Sequence, residues 1–307
     1  MAEPNFFIIG AARSGTTMLA EVLRQHPDVF VTQPKEPSFL AYAGNPPKFT
    51  DPVADRGVNS QAITRYDEYL ALYGKATAIA RGDASVSTLY WHERSIPNIV
   101  SYFPDARLVV SLRDPVERAY SNFRYNQVRG AEHVRRFEEA LDLEEQRVAA
   151  GWGMIYHLTA MGMYSRQLRP FLEQFGAERI LVLFYEDLAR APETEVRRVF
   201  AFLGVTPRPE LDYDLSVNAS GRPKGGLNRV ALRSASSLPA STKTMIKRIV
   251  PREARERLRG RAIERVPMPE AARIRLEAVY REEKSELRSL LDRHYPAVDH
   301  PAWLLAR

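Results

Sequence analysis

The chain contains no cysteine among its 307 residues. This absence excludes disulfide bonds and cysteine-ligated metal centres, and with them a small secreted scaffold that is held together by disulfides. Long hydrophobic runs are also absent, because no segment approaches the roughly 20 apolar residues that a membrane-spanning helix needs. Glu3 stands where a signal peptide would carry basic residues, ahead of only a short apolar run. We therefore expect a cytoplasmic protein.

The composition that remains is that of a globular protein with unevenly placed charge. Hydrophobic residues make up 45% and charged residues 27%, and the length suffices for one large domain or two smaller ones. The net charge is +6, and arginine and lysine are concentrated in residues 222–293. This bias favours an anionic ligand, an acidic substrate or a peripheral contact with a membrane surface. The alternative is a solvated helical face whose Arg and Glu residues pair with each other. We expect no nucleic-acid partner.

Short apolar segments alternate with helical patterns along the first two thirds of the chain. The pattern predicts strands at the following segments: 6–9, 29–31, 77–81, 107–112 and 179–185. Strands that alternate with helices predict an α/β fold, with a mostly parallel central sheet flanked by helices in a P-loop NTPase-like three-layer architecture.

A change of character near residue 210 predicts a C-terminal subregion within one domain of residues 1–307. We assign the core to residues 5–210 and a covering loop with a basic helical subregion to residues 211–307. Helices are expected near 240–260 and 269–293, and the tail PAWLLAR is expected to dock its Trp and leucines on the body.

The stretch GAARSGTT follows the first predicted strand and precedes a helical pattern. Gly10 and Gly15 have the spacing of the Walker A pattern G-x-x-x-x-G-K-S/T, but Thr16 stands where the lysine should be. A loop between a buried strand and a helix presents backbone N–H groups and the positive end of the helix, which attract phosphate or sulfate. Arg13 supplies a cation, and hydroxyl donors come from Ser14, Thr16 and Thr17. A degenerate nucleotide triphosphate site, a different anion site and a capped helix start without a ligand all remain open.

A second candidate anion site follows the strand RLVVSL, in the segment RDPVERAYS. Arg113 falls at the C-terminal edge of this strand, where ligands of parallel sheets bind. Pro115 suits the first turn of the next helix, and Ser121 lies six residues further along it. An arginine and a helical serine can jointly hold a phosphate. The alternative is a capped helix in which Arg113 pairs with Asp114 or Glu117.

Together, the two segments resemble the sulfotransferases that use 3′-phosphoadenosine-5′-phosphosulfate (PAPS). The 5′-phosphosulfate loop of that family reads Lys or Arg, Ser or Thr, Gly, Thr, then Ser or Thr, and stands here as RSGTT at residues 13–17. Its 3′-phosphate motif reads R-D/N-P followed by five residues and Ser, and stands here at residues 113–121. The resemblance extends over about residues 5–230, because LVLFYEDL and NASGRPKGG are also similar to family segments.

The resemblance implies a set of contacts to the donor, whose product would be adenosine 3′,5′-bisphosphate (PAP). The 5′-phosphosulfate would be held by the loop residues Arg13, Ser14, Gly15, Thr16 and Thr17. The 3′-phosphate would be held by Arg113 and Ser121, with Tyr185 near the adenine. A covering loop would contribute Arg222 and Lys224.

The segment QPKEPSF at the end of the second predicted strand resembles the K-E-P-x-F of glycan-modifying and bacterial sulfotransferases. In those enzymes the Glu is the catalytic base, which implies that role for Glu36, with Lys35 as its electrostatic partner and Arg13 on the reacting group. The alternative is an exposed Lys–Glu pair in a proline-bounded turn. The cytosolic branch instead places a histidine on the strand before the 3′-phosphate motif. The matching segment here offers Asp83 and Ser85, which we expect to line the acceptor pocket.

The resemblance therefore implies sulfuryl transfer from PAPS to a hydroxyl of a carbohydrate, lipid or secondary metabolite, with Glu36 as general base and without a metal. No metal-ligand spacing stands in the sequence. Two other classes remain open, an ATP-dependent kinase or NTPase with a degenerate P-loop, and a non-catalytic anion- or membrane-binding protein. The sequence does not indicate an oligomeric state.

Overall fold

A computed structural model describes residues 2–208, 210–213, 222–223, 263–264 and 266–305 of the chain. The strands of the central sheet are β1 (Phe6–Gly10), β2 (Val29–Val31), β3 (Ala80–Asp83), β4 (Arg107–Leu112) and β5 (Ile180–Phe184). All neighbouring pairs are parallel, in the order β2-β3-β1-β4-β5. A separate antiparallel pair consists of β6 (Arg222–Pro223) and β7 (Ile263–Glu264). The predicted parallel α/β sheet is confirmed.

Helices fill the connections between the strands. Up to β4 these are α1 (Thr16–Leu23), α2 (Phe39–Tyr42), α3 (Val58–Gln61), α4 (Tyr66–Ala71), α5 (Ser87–Tyr90) and α6 (His92–Tyr102). After β4 come α7 (Pro115–Arg129), α8 (Phe137–Asp142), α9 (Glu144–Ala149), α10 (Tyr164–Phe175), α11 (Tyr185–Arg190) and α12 (Pro192–Leu203). Short 3-10 turns lie at Ala54–Arg56, Met154–Tyr156, Ala160–Gly162 and Ala177–Arg179. The C-terminal helices are α13 (Glu270–His294) and α14 (Ala302–Leu305).

The sheet separates two hydrophobic cores, because alternate residues of a strand point to opposite faces. On β1, Phe7 and Ile9 pack into the core that includes α4, α6 and α10. Phe6 and Ile8 pack into the opposite core with α1 and α12. Helices on both faces of a parallel sheet give the predicted three layers.

The C-terminal helix α13 packs against the body of the protein. Its first half contributes Leu276 and Tyr280 to a cluster with α7 and α8, and its second half contributes Leu287 to the core that contains β4 and β5. In α14, Leu304 is buried and Trp303 packs against the same core, as predicted for the tail, whereas Leu305 is 46% exposed and does not dock. The helix predicted near 240–260 lies outside the described residues. Within the described ranges, no helix combines the length and apolar character that crossing a bilayer requires.

Three predicted boundaries differ from the structure. The strand expected at 77–81 corresponds to β3, which instead spans Ala80–Asp83. Its residues pair with β1 in a register that places Gly82 beside Phe6. The sequence pattern also predicts one helix near residues 136–149, which in the structure is divided into α8 and α9 at Leu143. The strand expected to reach 185 ends at Phe184, and Tyr185 begins α11.

Candidate functional site

The loop between β1 and α1 presents the N-terminus of a helix without a side-chain cap. Gly15 is the N-cap residue, it has a left-handed φ of 84°, and the first turn of α1 contains no acidic residue. A side chain at Gly15 would also approach the Tyr185 ring, with its Cβ 3.3 Å from Cδ2. The N–H groups of a first helical turn lack intrahelical partners, so this end is suited to an anion.

The loop side chains differ in their access to such an anion. Arg13 and Thr17 are half-buried, whereas Ser14 and Thr16 are buried. The Ser14 carbonyl accepts a hydrogen bond from Ser111 Oγ at 2.7 Å, which ties the loop to β4. Contacts of these residues to a phosphosulfate remain a prediction.

The two predicted anion motifs meet in the folded chain. Arg13 Nε donates to Ser121 Oγ at 3.3 Å, across a separation of 108 residues. Arg113 Nη1 donates to the Arg13 carbonyl at 3.1 Å. The contact follows from the topology, since β1 and β4 are neighbours and both motifs stand at their C-terminal ends. The two motifs therefore form one site with cations from both.

Aromatic rings hold both guanidinium groups. Arg13 Cζ lies 4.1 Å from the centroid of the Tyr125 ring, and Arg113 Cζ lies 4.4 Å from that of Tyr185. Burial lowers the pKa of Arg13 to about 10, an effect that Tyr125 opposes and the charge of Arg113 reinforces. Arg13 therefore stays charged at neutral pH. The expected contact of Tyr185 with an adenine remains a prediction.

Arg118, on α7, adds a third guanidinium that sequence reasoning did not identify. Its side chain is fully buried and its Nη2 donates to the Leu158 carbonyl, but its Nε has no hydrogen-bond partner. Within the part of the chain that the structure describes, neither Arg118 nor Arg113 forms an ion pair with a carboxylate. The pairing of Arg113 with Asp114 or Glu117, considered from the sequence, is thus not formed there. Buried positive charge without a counter-charge is costly, so a bound anion would stabilise this site.

The segment after β2 holds the candidate base. Glu36 has a left-handed φ of 65°, and Arg13 has one of 67°. Non-glycine residues adopt this conformation at a cost, and such residues cluster at functional sites. The Lys35 ammonium contacts Glu36 Oε1, with the Glu36 side chain 43% exposed and that of Lys35 16% exposed. The pair thus combines a solvent-accessible carboxylate with an adjacent cation, and the role of Glu36 as base remains a prediction.

Asp83 and Ser85 lie beneath this segment. Both side chains are buried, at 1% and 0% exposure. Ser85 Oγ accepts a hydrogen bond from the Ser38 N–H at 3.1 Å, and Asp83 Oδ2 accepts one from the Tyr69 hydroxyl at 2.5 Å. Burial raises the pKa of Asp83 to about 6, while Lys35 opposes that shift. These two residues support the segment from below, and their contact with an acceptor remains a prediction.

The other predicted site residues are described only in part. Lys224 lies outside the described residues, and Arg222 is described only as part of the two-residue strand β6. Over the described ranges, no group of three or more histidine or acidic residues is arranged to hold a metal ion. Tyr125 and Arg118 were missed as site residues, although the helix period could have found them. They stand four residues after and three residues before Ser121, on one face of α7.

Comparison with known proteins connects this geometry to a family. The sequence profile of the Sulfotransferase family matches residues 4–209. Carbohydrate sulfotransferase 15 of Homo sapiens is 28% identical, with 67% of this chain and 45% of that protein covered. Heparan sulfate glucosamine 3-O-sulfotransferase 3B1 of Mus musculus is 29% identical, with 66% of this chain and 46% of that protein covered. The chain therefore spans slightly less than half the length of each of these two relatives.

A solved structure extends the similarity to the whole chain. The crystal structure of a sulfotransferase from Alicyclobacillus acidocaldarius is 28% identical, has a TM-score of 0.70 and covers 99% of both chains. The match thus includes the loop after β1, the R-D-P motif after β4 and the C-terminal helices. With a profile that matches more than half of its residues, this chain belongs to the Sulfotransferase family.

Proposed function

We propose that this protein transfers a sulfuryl group from PAPS to an acceptor hydroxyl. The hydrogen bond between Arg13 and Ser121 carries the proposal, because it joins the two motifs that would hold the two phosphate positions of one nucleotide. A nucleoside triphosphate would need only one phosphate site. A donor that is phosphorylated at both the 5′ and 3′ positions needs two neighbouring ones.

The residues present fit such a donor. The uncapped N-terminus of α1 and Arg13 would bind the 5′-phosphosulfate, and Arg113 with Ser121 would bind the 3′-phosphate. The buried charge of Arg118 adds to the positive potential of the site. The donor supplies an activated sulfuryl group.

The acceptor hydroxyl would be deprotonated by Glu36 as its oxygen forms a bond to the sulfur. The bond between the sulfur and the bridging oxygen breaks, and its electron pair stays on the departing phosphate. Arg13 and the first-turn N–H groups of α1 would stabilise that charge, and the Lys35 ammonium would orient the Glu36 carboxylate. Because Glu36 is partly exposed, it can pass the proton to solvent after each turnover.

The acceptor we favour is a sugar hydroxyl. The curated relatives include a carbohydrate sulfotransferase and a heparan sulfate glucosamine 3-O-sulfotransferase, each matched over about two thirds of this chain. We retain a lipid or secondary-metabolite hydroxyl, a cytoplasmic location and a peripheral membrane contact of the basic C-terminal region as further proposals.

Calorimetry with PAP, adenosine 5′-phosphate (AMP) and ATP–Mg²⁺ tests the donor. We expect PAP to bind most tightly of the three. Arg113→Ala should weaken PAP binding by at least about tenfold, since a charge-assisted contact contributes about 1.5–3 kcal/mol, and should change AMP binding far less. Binding of ATP–Mg²⁺ without binding of PAP would support the kinase alternative. Equal losses for PAP and AMP would refute the 3′-phosphate assignment.

Sulfur-labelled PAPS and a panel of sugar acceptors test the base. We expect Glu36→Gln to lower turnover by at least about a hundredfold, as for loss of general base catalysis, with PAP affinity preserved. Glu68→Gln, at an exposed carboxylate on α4, is the control and should retain activity. A Glu36→Gln variant with wild-type turnover would exclude this residue as the base.

A further inference from the structure

Two C-terminal side chains reach the R-D-P motif, although they lie beyond residues 4–209 that the family profile matches. Lys284 on α13 is buried, at 7% exposure. Its Nζ lies 3.6 Å from Asp114 Oδ1 and 2.7 Å from Glu277 Oε2. A buried ammonium between two carboxylates has its charge compensated, and at 3.6 Å its attraction favours one position of the Asp114 carboxylate.

Trp303 on α14 reaches the same residue through Glu186. Its Nε1 donates to Glu186 Oε2 at 3.1 Å, and the other oxygen of Glu186 accepts the Asp114 N–H at 3.4 Å. The Trp303 ring also packs against Phe184, with the centroids 6.2 Å apart. The indole N–H is therefore held by packing and orients the Glu186 carboxylate toward the Asp114 amide.

Asp114 is thus held at its carboxylate by Lys284 and at its amide by Glu186. It also caps α7, because Oδ1 accepts the Val116 N–H at 3.1 Å. Its chain neighbour is Arg113, whose guanidinium lies between the Arg13 carbonyl and the Tyr185 ring. A shift of the Asp114 backbone would displace Arg113, which has no ion pair among the described residues to hold it.

We infer that Lys284 and Trp303 are positioning residues for the 3′-phosphate site, and that they act on Arg113 through Asp114. This inference rests on the proposed function for the identity of the ligand. It assigns to the C-terminal helices a part in nucleotide recognition, beyond their packing on the sheet. The contact of Arg113 with the 3′-phosphate would be a charge-assisted hydrogen bond, which weakens steeply when its geometry is lost, so the effect on PAP affinity should be measurable.

The test compares PAP and AMP binding, by calorimetry, in full-length variants. Trp303→Phe keeps an aromatic ring next to Phe184 but removes the indole N–H together with the five-membered half of the bicycle. Lys284→Met removes the charge but keeps most of the stem. We expect each to weaken PAP binding by at least about tenfold, as for the loss of one charge-assisted hydrogen bond, and AMP binding by less than about threefold. Lys284→Arg, which retains the charge, should keep most of the wild-type ratio of PAP affinity to AMP affinity.

Tyr295→Phe is the matched control. Its hydroxyl donates to the Ile180 carbonyl at 2.8 Å and lies 3.4 Å from the Ala177 carbonyl oxygen. The variant therefore also loses C-terminal hydrogen bonding, but at the start of β5 and away from the site. We expect it to lower the Tm while leaving the ratio of PAP to AMP affinity unchanged.

The outcomes separate the inference from the proposed function. Equal losses of PAP and AMP affinity, or losses no larger than those of Tyr295→Phe, would show that the C-terminal contacts serve packing only. A wild-type protein that binds PAP, with Trp303→Phe and Lys284→Met unchanged, would overturn the inference and leave the proposed function standing. A wild-type protein that does not bind PAP would overturn both.

Discussion

Replacement of Asp83 by Asn should change how the stability of the protein depends on pH. The Asp83 carboxyl is buried at the end of β3, and one oxygen accepts a hydrogen bond from the Tyr69 hydroxyl. The other oxygen, Oδ1, has no hydrogen-bond partner among the described residues. Asparagine has nearly the same shape and retains an oxygen for Tyr69, but it cannot ionise. The variant therefore isolates the cost of the buried charge.

The size of the effect follows from the pKa. Burial raises the pKa of Asp83 from 3.8 to about 6, so the folded state binds this proton more tightly than the unfolded state does. The resulting stabilisation is complete below pH 3.8 and is lost as the pH rises through about 6. A shift of about two pKa units corresponds to about 3 kcal/mol in the free energy of unfolding. Between pH 4 and pH 8 the wild-type protein should therefore lose about 3 kcal/mol more of its free energy of unfolding than Asp83→Asn does.

Urea unfolding of both proteins at one-unit steps from pH 4 to pH 8 measures this difference. The asparagine N–H groups add a cost of about 1–3 kcal/mol if they find no partner, but that cost is the same at every pH. The informative quantity is therefore how the difference in free energy of unfolding between the two proteins changes with pH. Most of that change should occur between pH 4 and pH 7. Asp105→Asn, at an exposed aspartate, is the control. A difference between wild type and Asp83→Asn that stays constant with pH would refute the assigned burial of a titrating Asp83.

Three other substitutions test the scaffold around the site. Glu132→Gln should lower the free energy of unfolding, measured with urea, by about 3–5 kcal/mol, because the buried Arg147 would lose the carboxylate that it contacts at 2.7 and 2.9 Å. A decrease below about 1 kcal/mol would contradict this reasoning. Gly82→Ala should lower the free energy of unfolding by about 3 kcal/mol or more, or prevent folding, because the added Cβ would lie 2.1 Å from the Phe6 carbonyl oxygen. A stable, soluble variant with the wild-type Tm would argue against this β1–β3 register. Burial raises the pKa of Glu283 to about 7, so the wild-type protein loses stability as the pH rises through about 7. The Tm of Glu283→Gln, measured relative to that of wild type, should therefore rise between pH 5 and pH 8. A difference in Tm that stays constant with pH would contradict the shift.

Local patterns account for the parts of this fold that the sequence predicted. The strand RLVVSL and the helix that begins at Pro115 were predicted at the observed starts, because a buried apolar run and a proline at the first turn are local signals. The meeting of the motifs at residues 13 and 113 was implied only by the family resemblance, because a linear pattern does not contain the strand order that makes β1 and β4 neighbours.

Other features depend on contacts that a linear pattern does not contain. The burial of Asp83 and Ser85 was not predicted, because the end of a strand does not reveal which of its side chains lies beneath the next loop. The left-handed backbone of Glu36 is imposed by its surroundings, since a non-glycine residue has no intrinsic preference for it. Lys284 and Trp303 meet the site only because α13 and α14 return to the C-terminal ends of β4 and β5, at sequence separations too long for periodicity to encode.

The hydrogen bond between Arg13 and Ser121 has a consequence for how affinity is apportioned in this site. The two side chains would bind different phosphate groups of one ligand, yet each is a part of the other's surroundings before any ligand arrives. Replacing either residue changes both subsites, so the losses from the two single replacements should not add in the double variant. Neither subsite then has an affinity of its own, and the measured binding energy is a property of the pair.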